Sequence, residues 1–350
     1  MDQKGRSMKY QQLGTSDLKV SAIALGTMTF GEQNSLVEAH EQLAYAVSQG
    51  VNFIDTAEMY PVPARPETQG RTEEVVGKWL RTQVRDSLII ATKVTGPSRG
   101  LDWIRGGPKA VDRANITAAL HASLKRLQTD YLDLYQIHWP ARNVPMFGHN
   151  EYDPRLEHAS ATIEEQLTVL TELVNSGKVR HIGLSNETPW GIAEFLKVSE
   201  RSGLQRIVSV QNPYNLINRT FEIGTYEMCQ REKISLLAYS PLAFGLLSGK
   251  YIKNPPKNGR FTLFPEFGQR YHKLNVPVAI EAYADLAAQH GLSPAAMALA
   301  FVRSRPFVAS TIIGATSMAQ LQENLASLEL DAETIKAIGL IHARYPNPAP

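Results

Sequence analysis

The stretch YLDLYQIHW at 131–139, followed by VRHIGLSN at 179–186, shows the pattern that decides the fold. Each is a compact apolar run ending in polar or potentially catalytic residues, which is typical of a buried parallel strand. Between them, apolar residues share one helical face at spacings of three and four, namely Ile163, Leu167, Leu170 and Val174. Gly177 is placed to end that helix before the second run. The stretch therefore predicts a strand, a helix and a second, parallel strand.

The same alternation extends along the chain. Six further runs of this kind are SAIALGTM at 21–28, VNFIDTA at 51–57, SLIIATKV at 87–94, IVSVQNPY at 207–214, SLLAYSPL at 235–242 and STIIGAT at 310–316. Another helical face is formed by Ile116, Leu120, Leu124 and Leu127. Eight strands with intervening helices form either an open doubly wound sheet or a closed barrel. The strand count and the lack of a G-x-G-x-x-G turn favour an α/β fold of the (β/α)8 TIM barrel type.

No linker or sequence repeat divides the chain, so we predict a single domain over residues 1–350. The core barrel would span about 10–328, with a C-terminal helix and tail at 329–350. Three connections are long: Thr95 to Asp112, Pro140 to Ala161 and Ala243 to Val276. In a barrel they would lie at the C-terminal face, where ligands bind. The Pro-rich end at 345–350 is predicted to be a loose end or, as the alternative, to cover part of the barrel.

The composition favours a globular protein that binds small molecules. Hydrophobic residues make up 43% and charged residues 20%, and 36 Lys and Arg nearly balance 34 Asp and Glu. This balance gives nucleic acid or an acidic membrane no basic surface to bind, so neither is an expected partner. Cys229 is the single cysteine, and the start of the chain has no apolar signal region. We therefore predict a cytoplasmic protein; nothing specifies its oligomeric state.

Polar side chains follow the ends of successive predicted strands. They are Asp55, Lys93, His138, Ser185, Asn186 and Gln211. Tyr60 lies just beyond Asp55, in a loop that can return its hydroxyl to the barrel mouth. Because the carboxyl ends of barrel strands converge, these side chains are expected to share one pocket.

Tyr60, Lys93, Asp55 and His138 suit the reduction of a carbonyl group, which needs a hydride at carbon and a proton at oxygen. A free tyrosine has a pKa of about 10, and a nearby ammonium lowers it. We expect Lys93 to supply that charge, Asp55 to hold Lys93 by an ion pair, and His138 to orient the substrate oxygen or relay a proton.

Each of these residues taken singly is more often structural, so their joint placement carries the interpretation. A barrel hydrolase using Asp55 and Glu58 as paired carboxylates is an alternative, but it leaves Lys93 without a role. The acidic and histidine residues between His149 and His158 lack the spacing of a metal site. We predict a solvated loop there, and no metal.

Three segments, DTAEMY at 55–60, TKV at 92–94 and QIHWP at 136–140, resemble the catalytic segments of the aldo-keto reductase superfamily. Further similar segments are IGLSN at 182–186, QNPY at 211–214, AYSPL at 238–242, GLLSGK at 245–250 and IGA at 313–315. The resemblance covers nearly the whole chain and points to the bacterial Tas-like branch, itself similar to potassium-channel β subunits. It implies a catalytic tetrad, Asp55, Tyr60, Lys93 and His138, and the cofactor NADP(H).

The resemblance also implies a set of cofactor-binding residues. They are Gly26, Thr27, Met28, Asp55, Ser185, Asn186, Gln211, Tyr239, Ser240, Pro241, Leu242, Ala243, Gly245, Leu246, Ser248, Gly249, Lys250, Arg260, Gly314, Thr316, Gln320, Glu323 and Asn324. Among them, Ser185, Asn186 and Gln211 would hold the carboxamide, and Tyr239 would stack on the nicotinamide. The segment from Ser240 to Lys250 would wrap the pyrophosphate, with help from Arg260.

Two departures from the family pattern affect these expectations. The segment from Pro61 to Gly70 stands where many relatives have a glycine and a shorter turn. Thr316 and Ser317 stand where many relatives that prefer NADPH have a basic residue for the adenosine 2′-phosphate. The substrate would be a small carbonyl compound, with a pocket wall drawn from Phe30, Trp103 and Trp139. A second hypothesis is a sensor or interaction protein that binds NADPH but turns over little.

Overall fold

A computed structural model describes residues 8–97, 100–107, 110–326 and 328–350. Within these ranges the strands are β1 (Tyr10–Gln12), β2 (Lys19–Ser21), β3 (Ile23–Gly26), β4 (Phe53–Asp55), β5 (Ile89–Val94), β6 (Leu132–Ile137), β7 (Val179–Ser185), β8 (Ile207–Pro213), β9 (Ser235–Tyr239) and β10 (Val308–Ile313). The strands from β3 to β10 form a closed barrel, every neighbouring pair is parallel, and β10 pairs with both β3 and β9. The predicted (β/α)8 barrel is confirmed.

Helices occupy most of the connections between barrel strands. In the described ranges they are α1 (Leu36–Ser48), α2 (Arg71–Leu80), α3 (Arg113–Leu127), α4 (Ile163–Asn175), α5 (Pro189–Ser202), α6 (Thr225–Arg231), α7 (Arg260–Leu263), α8 (Val276–Gln289), α9 (Pro294–Arg303), α10 (Met318–Leu325) and α11 (Ala332–Arg344). Side-chain caps fix the first residues of several helices. At α1 the Ser35 hydroxyl accepts a hydrogen bond from the backbone amide of Glu38, and the Glu38 carboxylate accepts one from the backbone amide of Ser35. None of these helices is long and apolar enough to cross a bilayer.

The sequence patterns located the strands and the buried helical faces. Seven of the eight apolar runs contain a barrel strand entirely, and STIIGAT overlaps β10. On α4, Leu167 and Leu170 are fully buried against the barrel. Gly177 follows the end of α4 with a φ of 75°, a left-handed conformation that costs glycine little. The predicted helix end is therefore confirmed.

A short hairpin covers the amino-terminal end of the barrel, and the sequence patterns did not predict it. β1 and β2 pair antiparallel, and the side chains of Leu13, Leu18 and Val20 are buried in the apolar cluster inside the barrel. At Gly14, which has a φ of 56°, a Cβ atom would lie 2.1 Å from the Val208 carbonyl oxygen. Only glycine allows this approach, so the hairpin closes the end opposite the ligand-binding face.

The C-terminal tail packs onto the barrel, so the expectation of a loose end was wrong and the alternative, a tail that covers part of the barrel, is what the structure shows. Ala349 is fully buried and its amide donates to the Ile217 carbonyl at 3.0 Å. The Asn347 side chain accepts from the Arg219 amide at 2.6 Å. Backbone hydrogen bonds and a buried methyl group hold these residues, neither of which composition alone reveals.

Candidate active site

A cavity of about 830 Å³ opens at the carboxyl ends of the barrel strands. Most of the predicted site residues line it. They are Gly26, Thr27, Met28, Asp55, Tyr60, His138, Ser185, Asn186, Gln211, Tyr239, Ser240, Pro241, Leu242, Gly245, Ser248, Lys250, Arg260, Gly314, Thr316, Gln320, Glu323 and Asn324. The three long connections contribute Leu101, Phe147 and Arg260 to the same wall. Their predicted position at the ligand-binding face is therefore confirmed.

Four predicted residues lie outside the lining. Lys93 is fully buried behind Asp55. Ala243 is fully buried in the main core, and Leu246 packs against that core because the tight turns of 243–248 direct both side chains inward. At Gly249 a Cβ atom would lie 3.5 Å from the Pro294 ring, so this position faces α9. A contact of the Ala243 or Leu246 side chain with a cofactor is therefore not supported, and Gly249 could offer only its backbone.

Asp55 and Lys93 form the expected ion pair at the base of the cavity. Lys93 Nζ donates to Asp55 Oδ2 at 2.7 Å and to the Thr56 carbonyl at 2.8 Å. Burial lowers the pKa of Lys93, and the adjacent Asp55 carboxylate opposes that shift. The other oxygen of Asp55 accepts from Gln211 Nε2 at 2.8 Å. The carboxylate of Asp55 thus fixes both Lys93 and Gln211.

Tyr60 and His138 meet beside this pair. Their ring centroids are 5.8 Å apart in an edge-on arrangement, and Lys93 Nζ lies 5.2 Å from the Tyr60 ring centroid. The loop after Tyr60 returns on itself, since the Gly70 amide donates to the Tyr60 carbonyl at 3.0 Å. This places Val62 in the cavity wall. The departure from the family pattern at 61–70 therefore reshapes the rim and leaves Tyr60 in the cavity.

The expected lowering of the Tyr60 pKa is not found in the free protein. Burial of the phenol and the nearby Asp55 charge raise the pKa of Tyr60, and Arg260 only partly opposes them. Tyr60 is therefore held protonated.

Asn186 connects the catalytic end of the cavity to β9. Its Nδ2 donates to the His138 carbonyl at 2.8 Å, and its Oδ1 accepts from the Tyr239 hydroxyl at 2.7 Å. Asn186 has a φ of 53°, a left-handed conformation that asparagine tolerates better than most residues. Ser185 Oγ donates to the Gln211 carbonyl at 2.8 Å. In the free protein these polar groups therefore bind one another.

Two basic side chains border the cavity at the glycine-rich turn after β9. Burial and the neighbouring Arg260 lower the pKa of Lys250, and burial lowers the pKa of Arg260. No carboxylate in the described part of the chain forms an ion pair with either of them. Gly245 has a φ of 97°, and a Cβ there would lie 3.0 Å from Lys250 Cε. Two partly dehydrated cations beside an open backbone fit the phosphates of a dinucleotide.

Neutral amides, the Thr316 hydroxyl and the carboxylate of Glu323 occupy the far end of the cavity. Gln320 Oε1 accepts from the backbone amide and the hydroxyl of Thr316 at 3.0 and 3.1 Å. Asn324 Nδ2 donates to the Gly314 carbonyl at 3.1 Å, and Glu323 accepts from Ser293 Oγ at 2.8 Å. This end can bind a ring or a sugar by hydrogen bonds.

The sequence interpretation missed part of the wall. Trp139 lines the cavity as predicted. Phe30 is fully buried outside the lining, and Trp103 packs in the same small apolar cluster as Trp139 without lining the cavity. The unpredicted lining includes Arg270 and Phe267 of the connection after β9. No periodic pattern marks these loop residues. In the sequence, only the closeness of an aromatic residue to an arginine within a long connection could have indicated that they line the cavity.

The charged loop at 149–158 shows local pairing. Asp153 binds Arg155 at 2.7 Å, and the His158 ring contacts the carbonyls of Leu156 and Ala141 at 3.1 Å. In the ranges that the structure describes, no three His, Cys, Asp or Glu residues are grouped to hold a metal ion.

Known proteins resemble this chain over its full length. The Aldo/keto reductase family profile matches residues 22–342. The protein named Protein tas from Escherichia coli K12 is 52% identical over 347 residues, covering 98% of this chain and all of the relative. The uncharacterized oxidoreductase YrpG of Bacillus subtilis is 31% identical, with 97% of each chain covered. A probable voltage-gated potassium channel subunit beta of Arabidopsis thaliana is also 31% identical, with 92% of each chain covered.

Proposed function

The chain belongs to the aldo/keto reductase family, and from that premise we propose that it reduces aldehydes or ketones to alcohols with NADPH, with Tyr60 as proton donor. Membership confirms the resemblance seen in the motifs and makes the protein an oxidoreductase. One observation supports the finer proposal most: a single cavity holds Tyr60 and His138 above a buried Asp55 and Lys93 pair. The same cavity carries unpaired cations suited to cofactor phosphates.

The cofactor, when bound, supplies the hydride that reaches the carbonyl carbon. Tyr60 donates the proton from its hydroxyl to the carbonyl oxygen. A raised Tyr60 pKa does not prevent this step, because a developing alkoxide is a stronger base than a phenolate. His138, whose ring lies against Tyr60, orients the substrate oxygen toward that hydroxyl. Lys93 provides positive charge near the phenolate that remains, and Asp55 keeps Lys93 charged.

We infer the residues that would bind NADPH from the charge distribution in the cavity. Lys250 and Arg260 would bind phosphates, and Ser185 and Gln211 the carboxamide, with Tyr239 against the nicotinamide ring. Thr316 and Gln320 offer only neutral donors, so we infer that a loop cation assists them at the 2′-phosphate. We therefore expect a preference for NADPH over NADH that depends on Arg260 or Lys250.

A low-turnover cofactor-binding protein is the second candidate, favoured by the similarity to the potassium channel subunit beta of Arabidopsis thaliana. Slow cofactor release would support it, and stopped-flow release rates compared with turnover would distinguish it from the reductase. The buried thiol of Cys229 fits a reducing compartment, so we also propose a cytoplasmic location.

The test of the main proposal is NADPH consumption with a panel of aldehydes and ketones, on wild type, Tyr60→Phe and Tyr131→Phe. Tyr131 bonds Asp86 away from the cavity and is a matched control. We expect Tyr60→Phe to lose roughly 10²- to 10⁴-fold in rate while NADPH affinity, measured by fluorescence, is kept. Tyr131→Phe should keep the wild-type rate. Full activity of Tyr60→Phe would overturn the assignment, and tight NADPH binding without turnover by wild type would favour the second candidate.

A further inference from the structure

Arg270 is a buried cation with no carboxylate partner among the described residues. It lies in the long connection between β9 and α8, and only 6% of the residue is exposed. Its Nη1 is buried without a hydrogen-bond partner. Among the described residues no ion pair involves it, and the acidic Glu266 of the same loop lies exposed. A buried charge is normally paired, so this arginine lacks the anion that its burial demands.

Other largely buried arginines of the barrel differ from Arg270 in this respect. Arg105 pairs with Glu58, Arg126 with Glu73 and Arg142 with Glu187. Each of these carboxylates is itself almost fully buried. Arg270 is buried more deeply than these three arginine side chains, and it borders the cavity. These three arginines each have a buried carboxylate partner, and Arg303, for which the described part of the chain offers none, donates to the Ala326 carbonyl outside the cavity. Arg270 borders the cavity and has no carboxylate partner among the described residues.

The contacts of Arg270 place it beside the reacting end of the cavity. Its guanidinium hydrogen-bonds the Tyr239 hydroxyl, which in turn donates to Asn186. Its Cζ lies 5.9 Å from the Phe147 ring centroid, and the Phe147 ring lies 6.2 Å from that of Trp139. Trp139 directly follows His138, with 4.9 Å between the two rings. Two aromatic rings, those of Phe147 and Trp139, therefore lie between the Arg270 guanidinium and His138 along this wall.

The loop backbone fixes this position. At Gly148, which has a φ of 106°, a Cβ atom would lie 2.9 to 3.1 Å from the Cβ, Cα and N atoms of Arg270. The connection after β6 therefore packs directly against the backbone of Arg270. A side chain held in this way loses little freedom when it binds a ligand, which favours a preorganised site.

From these observations we propose that Arg270 is a specificity-determining residue that binds a carboxylate of the substrate, so that the enzyme prefers carbonyl compounds bearing a carboxylate group. The inference rests on the proposed reductase function and extends it. Lys250 and Arg260 border the glycine-rich turn suited to phosphates, whereas Arg270 reaches the wall formed by Phe147 and Trp139. A guanidinium against an aromatic wall binds a planar carboxylate by paired hydrogen bonds.

The test compares two aldehydes that share a ring and differ in charge, 4-carboxybenzaldehyde and methyl 4-formylbenzoate. We expect wild type to reduce the aldehyde group of 4-carboxybenzaldehyde with a higher kcat/KM than that of the methyl ester. Arg270→Met should lower kcat/KM for the carboxylate about 10- to 100-fold, mainly through KM, and change that for the ester little. Arg270→Lys should recover part of the loss, because it keeps the charge without the planar fork.

Two control variants separate a local contact from other effects. Lys257→Met removes one exposed charge from the same connection outside the cavity, and should leave the ratio of the two kcat/KM values unchanged. Arg260→Met should weaken NADPH binding without changing that ratio. Melting temperatures would show that each variant folds.

Equilibrium binding gives an independent readout. Benzoate and benzamide are titrated into the NADP⁺ complex, with intrinsic tryptophan fluorescence as the signal. Only the affinity for benzoate should depend on Arg270. An unchanged substrate ratio and unchanged benzoate affinity in Arg270→Met would refute the proposal, as would a loss confined to NADPH affinity. If wild type reduces neither aldehyde, the reductase function fails, while the benzoate titration still decides whether Arg270 binds the anion.

Discussion

Removal of the Lys93 charge tests the electrostatic centre of the barrel most directly. In Lys93→Met, Asp55 Oδ2 loses its donor at 2.7 Å, while Oδ1 keeps the neutral amides of Gln211 at 2.8 Å and Gln136 at 3.5 Å. Both partners of the pair are buried, so the variant leaves a carboxylate without a countercharge. Breaking a buried pair from one side costs about 3–5 kcal/mol in the free energy of unfolding.

The size of the effect sets the assay. An unfolding entropy of roughly 2.1 cal/mol/K per residue gives about 0.7 kcal/mol/K for the 350 residues. A loss of ~4 kcal/mol therefore lowers the melting temperature by ~5 °C. Urea unfolding followed by circular dichroism gives the free energy, and calorimetry gives the melting temperature.

The double variant Asp55→Asn with Lys93→Met supplies the decisive comparison. It removes both charges, so the unfolding free energy should recover most of what Lys93→Met lost. Turnover should not recover, because the positive charge near Tyr60 is still missing. A double variant no more stable than Lys93→Met would show that Asp55 and Lys93 are not energetically coupled, and the reasoning would be refuted.

The remaining predictions concern two buried acidic groups. Burial and the Asp55 charge raise the pKa of Tyr60, so the phenol keeps its proton as pH rises. The reduction rate, where proton donation limits it, should therefore not decline between pH 7 and 9. A decline in that range that disappears in Tyr60→Phe would contradict this prediction. Burial raises the pKa of the Cys229 thiol to about 12. A thiol reagent such as DTNB at pH 8 should therefore label Cys229 only after the protein is unfolded in urea. Rapid labelling of the native protein would count against the buried position of Cys229.

Much of the barrel was predictable because its strands are short, apolar and evenly repeated. Their carboxyl ends carry Asp55, Lys93, His138 and Gln211, and barrel geometry alone brings those positions together. Periodicity of two or 3.6 residues is a local property, so a single sequence contains it. The fold and the base of the candidate site follow from that property.

Features that depend on packing between distant segments were not predictable. The hairpin of β1 and β2 depends on Leu13 entering the barrel interior, and Ala349 is buried only because the loop after β8 accepts it. The direction of the Tyr60 pKa shift depends on how deeply the phenol is buried and on its distance from Asp55. These properties are set by distances in space, which no pattern in the chain encodes.

The pairing of buried charges offers a way to separate function from structure in this barrel. The chain as a whole is almost balanced, with a formal net charge of +2. Around the barrel, arginines such as Arg105 and Arg126 are neutralised by buried glutamates. In the cavity, by contrast, Lys250, Arg260 and Arg270 have no carboxylate partner among the described residues. Since unpaired, partly dehydrated cations destabilise a fold, their shared location supports the proposal that the cofactor and the substrate both carry negative charge.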